Sequence, residues 1–158
     1  MTGRTATTSA RPADPCTLII FGASGDLTHR LLLPALYNLA ASGLLPDAFA
    51  LIGVARSEST SETFCDDLAK SLPKFATRDI DERVVKRLLA CVAYVQGEPD
   101  DASTYKNLAH ELAGIESRRA TKGNRLFYLA TPPAAFPSRI FARWSKSSAN
   151  PPRATIST

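Results

Sequence analysis

No apolar run in the sequence approaches the roughly 20 residues that a membrane-spanning helix needs, so no membrane span is expected. Cysteine is scarce. The residues Cys16, Cys65 and Cys91 are odd in number, and their spacings match no disulfide framework, metal site or redox motif. Reduced thiols are expected, as in a cytoplasmic protein. The excess of positive charge is small, a net +4, and several of those charges fall between Arg139 and Arg153. No basic stripe is interleaved with aromatics, which argues against a nucleic-acid surface despite a pI near 9.1. Residues 1–15 lack the apolar core of a secretory signal, and Asp14 with few arginines argues against a transit peptide. A disordered leader is the expectation there.

What the chain does have is a composition of 44% hydrophobic and 22% charged residues over 158 positions, suited to one soluble domain with a real core. Short apolar runs at Cys16–Phe21 (CTLIIF), Phe49–Ala55 (FALIGVA), Cys91–Gln96 (CVAYVQ) and Asn124–Ala130 (NRLFYLA) read as buried strands. Helical periodicity fills the gaps. Leu32, Leu36 and Leu39 share a face of the first helix, with Asp26 as its expected N-cap and a bend expected at Pro34. Ser59 with Glu62 forms a capping-box pattern ahead of Phe64, Leu68 and Leu72. Ile80, Val84 and Leu88 mark a third helix. Asp101 caps a fourth, whose buried side is Tyr105, Leu108, Ala109 and Leu112. Strands alternating with helices predict an α/β fold, a doubly wound parallel sheet of the Rossmann dinucleotide-binding type, here incomplete. The expected organisation is a leader at 1–15, a domain at 16–137 and a polar, disordered tail at 138–158.

The first strand runs directly into Gly22-Ala23-Ser24-Gly25-Asp26-Leu27. A tight turn there points backbone N–H groups outward at a helix N-terminus, where they and the helix dipole hold a pyrophosphate. Ser24 and Leu27 occupy the second and third glycine positions of G-x-G-x-x-G, so by itself the match is weak. Arg56 closes the second strand, where a dinucleotide fold reads the adenine ribose. An acidic residue there would accept from the ribose hydroxyls of NAD. An arginine, with Ser57 beside it, offers donors to a 2′-phosphate instead and predicts NADP.

With these residues in hand, the stretch from Gly22 to Leu36, GASGDLTHRLLLPAL, resembles the opening signature of glucose-6-phosphate dehydrogenases. Ile52–Ser57 is similar to that family's second-strand motif, and Phe127–Pro133 to its fourth-strand motif. The resemblance implies an oxidoreductase that moves hydride from C1 of glucose 6-phosphate to NADP, the first step of the pentose phosphate pathway. It implies Gly22, Ala23, Ser24, Gly25, Asp26 and Leu27 around the pyrophosphate and Arg56 on the 2′-phosphate. It also implies Gly97 and Glu98 near the adenine, and Ala130, Thr131 and Pro132 beside the nicotinamide. Two departures stand out: Leu31 replaces a usual Lys, and Glu98-Pro99 stands where an Asp is usual.

The family's later Glu-Lys-Pro and Asp-His-Tyr segments, which hold the sugar phosphate and supply the base, are not in this sequence. His29 and His110 read as solvated residues, so no catalytic residue is assigned. A truncated and inactive product is expected. Family members assemble through a part not found here, which points to a monomer. Two other readings stay open: a non-catalytic NADP-binding module, and a product that folds poorly.

Overall fold

Strands that read as nearly continuous apolar runs must be covered on both faces, and this dictates the layering seen in the computed structural model, which describes residues 10–131. Four strands form one parallel sheet in the order β3-β2-β1-β4. They are β1 (Cys16–Phe21), β2 (Phe49–Ala55), β3 (Val92–Gln96) and β4 (Arg125–Leu129). Every residue of β2 is buried. Successive side chains alternate between faces, and the core divides accordingly. On one face Leu18, Ile20, Leu51 and Tyr94 pack with Tyr37, Phe64, Leu68, Leu72 and Leu88. These last five come from helices α1 (Leu33–Ala41), α2 (Ser61–Phe75) and α3 (Glu82–Leu89). On the other face Ile19, Phe21, Ile52, Val54 and Phe127 pack with Tyr105, Leu108, Leu112 and Ile115 of α4 (Ala102–Arg119).

The predicted fold class is therefore the observed one, and Asp101 caps α4 by accepting from the Ser103 N–H. Three local expectations are corrected. Asp26 is already helical, and its carboxylate pairs with Arg30 one turn on at 3.2 Å, a first-turn placement that also suits the helix dipole. The cap of α2 is Thr60, one residue after the expected Ser59; its hydroxyl accepts from Thr63 N–H at 3.1 Å. The buried side of α1 is Leu33, Pro34 and Tyr37, while Leu39 is 40% exposed.

Pro34 accounts for much of that last shift. It has no N–H to offer the carbonyl one turn back. The chain answers with a π-turn over Thr28–Leu32, closed by Leu33 N–H on the Thr28 carbonyl. The wider turn rotates the following residues relative to a uniform helix. Tyr37 can then sit in the core because its hydroxyl is satisfied twice. It donates to the Asp79 carbonyl at 2.9 Å and accepts from Asp81 N–H at 2.7 Å.

Candidate functional site

A parallel sheet offers a ligand crevice where neighbouring strands send their connections in opposite directions, at the carboxyl ends of the strands. Here that point lies between β1 and β4. The chain leaves β1 toward β2, whereas the connection into β4 returns from β3 at the far edge. The Gly22–Leu27 turn and residues Ala130 and Thr131 stand at this crevice.

Gly22 has φ +81°, and a Cβ there would lie 2.7 Å from the Ala130 carbonyl oxygen and 2.9 Å from Thr131 Cγ2. Only glycine meets both constraints. The Ala130 N–H in turn bonds the Phe21 carbonyl at 2.8 Å. This turn is fastened to the sheet: the N–H groups of Gly22 and Ala23 donate to the Val54 carbonyl at 2.8 and 3.2 Å, and Gly25 N–H closes on the Gly22 carbonyl at 3.0 Å. Those three donors are committed. The amides of Ser24, Asp26 and Leu27 are left as the outward candidates, the last two because the first N–H groups of a helix have no acceptor within it. Ala23 is wholly buried and supports the turn from beneath.

Gly53, which sequence reasoning did not single out, makes this support possible. A Cβ on it would meet both Ala23 Cβ and Phe64 Cε1 at 2.8 Å. The signal available was a lone glycine inside an otherwise apolar strand, the mark of close approach by another element.

At the end of β2, Arg56 and Ser57 are exposed. The Ser57 hydroxyl donates to the Ser24 hydroxyl at 3.2 Å, which brings the tip of the glycine turn and the end of β2 together. Tyr94 was missed as well. Its hydroxyl donates to the Ser57 carbonyl at 2.6 Å and lies 3.2 Å from that of Ala55; burial pushes its pKa up. Gly97 is pinned by its N–H to the Ala55 carbonyl at 2.9 Å, and a Cβ on it would be 2.1 Å from Thr104 Oγ1. Glu98 is exposed beyond it. The Thr131 hydroxyl is buried and has no hydrogen-bond partner among the described residues. Pro132 lies outside the described residues, as do residues 1–9 of the expected leader, the last residues of the expected domain and the whole tail.

Neither histidine joins this arrangement. The His29 imidazole Nδ1 lies 2.9 Å from the Ser71 hydroxyl of α2, which is also 3.0 Å from the Leu68 carbonyl. His110 is exposed on α4. Leu31 is 61% exposed, on a groove of about 380 Å³ that it shares with Asp26, Leu27, Arg30 and Phe75. All three thiols are free and have raised pKa values, mainly through burial, which favours the protonated form over the thiolate. Among the described residues no cluster suits a metal ion, and no helix is long and apolar enough to cross a membrane.

Comparison with known proteins agrees with this fold. Residues 19–152 match the family model described as "Glucose-6-phosphate dehydrogenase, NAD binding domain". The glucose-6-phosphate 1-dehydrogenase of Chlamydia pneumoniae is 41% identical over 138 residues, covering 87% of this chain and 27% of that protein. Glucose-6-phosphate 1-dehydrogenase 2 of Mycobacterium tuberculosis (strain H37Rv) is 36% identical over 127 residues, 80% of this chain and 25% of that one. The chain thus spans about a quarter of the length of these relatives. Among solved structures, the Mycobacterium avium glucose-6-phosphate 1-dehydrogenase superposes with a TM-score of 0.74 at 27% identity, over 92% of this chain and 29% of that one. A glucose-6-phosphate dehydrogenase in complex with its substrate glucose-6-phosphate gives 0.75 at 28% identity, over 92% and 30%.

Proposed function

Because this chain belongs to the glucose-6-phosphate dehydrogenase family, we propose that it is the NADP-binding unit for hydride transfer from C1 of glucose 6-phosphate. The observation that carries the reading is the joined pair of loops: the glycine turn after β1 and the Arg56–Ser57 turn after β2, tied through Ser57 and Ser24. The amides of Ser24, Asp26 and Leu27 would face the pyrophosphate. Arg56 and the Ser57 hydroxyl would receive the 2′-phosphate. Gly97 and Glu98 would border the adenine, and Ala130 and Thr131 the nicotinamide, with Pro132 next in sequence. The orphaned Thr131 hydroxyl supports this end of the site, since a buried polar group without a partner is costly unless a ligand supplies one.

Oxidation at C1 also needs a base for the hydroxyl proton, held within hydrogen-bond reach. His29 is bonded to α2 and His110 is exposed on α4, so the role proposed for this chain is cofactor binding without turnover of its own. Titration with NADP and with NAD, beside an assay with glucose 6-phosphate, tests both parts. Tighter binding of NADP and no NADPH formation are expected. Equal affinities would remove the 2′-phosphate site, and measurable NADPH formation would refute the division of labour.

A further inference from the structure

A guanidinium selects a phosphate only if the backbone that carries it is already fixed; otherwise binding must also order a long, rotamer-rich side chain and its turn. All three carbonyls around Arg56 are held. Ala55 O accepts from Gly97 N–H at 2.9 Å, Arg56 O accepts from Gln96 Nε2 at 3.4 Å, and Ser57 O accepts from the Tyr94 hydroxyl at 2.6 Å. The strongest of these holds is the phenol. Tyr94 is only 7% exposed and its ring lies 5.0 Å from that of Phe64. Its own N–H donates to the Ser61 hydroxyl at 2.9 Å, at the first residue of α2. The residue is thus held through its ring by Phe64 and through its backbone by Ser61, and its hydroxyl reaches the Arg56–Ser57 turn.

We propose that Tyr94 is a positioning residue for cofactor discrimination, its hydroxyl fixing the Arg56–Ser57 turn that receives the 2′-phosphate. It acts through the turn. The Ser57 hydroxyl bonds Ser24 in the glycine turn separately, a contact that loss of the Tyr94 hydroxyl leaves in place. The inference rests on the NADP reading above and adds a residue that would not touch the cofactor.

The test is Tyr94→Phe in the full chain, which keeps the ring against Phe64 and removes only the hydroxyl. Dissociation constants for NADP and NAD are measured on parent and variant. The ratio favouring NADP is expected to fall about fivefold, the equivalent of one ordinary hydrogen bond, with NAD affinity little changed. An equal loss for both cofactors would mark a structural role and overturn the proposal, as would an unchanged ratio. No preference in the parent chain would instead sink the NADP reading, and this proposal with it. Backbone relaxation of the unmodified, cofactor-free chain gives a second readout that does not depend on the variant folding. Order parameters near 0.85 are expected for the Arg56 and Ser57 amides, and values below about 0.6 would show a turn that is not fixed.

Discussion

In the proposed site, the arginine at the end of β2 would contribute to cofactor choice through one interaction that NAD cannot make. Arg56 is exposed, so the guanidinium stays solvated in the free chain, and the proposed bond to a 2′-phosphate would replace water on both partners. Charge-assisted hydrogen bonds of this kind are worth roughly 1.5–3 kcal/mol. Arg56→Ala should therefore weaken NADP binding about 10- to 100-fold and leave NAD binding within about twofold, as read by calorimetric titration. The effect should shrink with added salt, because the site is open to solvent. A comparable loss for both dinucleotides would mean that Arg56 supports the loop and does not read the phosphate.

Helix starts show how far local sequence can be trusted. Asp101 was legible as the cap of α4, ahead of the apolar periodicity of that helix, and its carboxylate does accept from Ser103 N–H although Asp100 stands beside it. At α2, Ser59 and Thr60 are adjacent candidates, and Thr60 takes it, extended at φ −102° and ψ 165° with its hydroxyl on Thr63 N–H. The Glu62 pattern pointed one residue early because it scores side-chain spacing and not backbone conformation. Thr60→Ala should cost about 1 kcal/mol of stability, measured by denaturant unfolding, with the ratio of NADP to NAD affinity unchanged. Ser59→Ala should cost much less, since its hydroxyl donates only to the Thr60 carbonyl at 3.2 Å.

The same limit explains the other elements. All four strands were legible as apolar runs, and so were the core positions Phe64, Leu68, Leu72, Tyr105, Leu108 and Leu112. The face of α1 was not, since the π-turn before Pro34 shifts the helical phase locally and the doubly satisfied Tyr37 hydroxyl depends on partners some forty residues away. In the site, glycine spacing located the turn, but only the fold assigns which amides are already committed to Val54. Gly53 and Tyr94 escaped notice for a related reason: each acts by contact with residues distant in sequence.

At the scale of the whole molecule, the proposed site draws on the carboxyl ends of all four strands: the turn after β1, Arg56 after β2, Gly97 after β3 and Ala130 after β4. A ligand held by all of them cannot bind while any one strand is detached, so binding should stabilise the sheet as a unit. For a ligand that binds only the folded state, a concentration 100 times its dissociation constant adds about 2.7 kcal/mol. In a domain of this size that corresponds to roughly 5–15 °C in melting temperature. Thermal unfolding followed by circular dichroism should therefore show one cooperative transition that moves up with NADP, and by less with NAD at equal concentration. A broad transition indifferent to NADP would favour the poorly folded product over the binding unit. The two outcomes separate cleanly, because a sheet whose two faces carry distinct packed cores should lose both together.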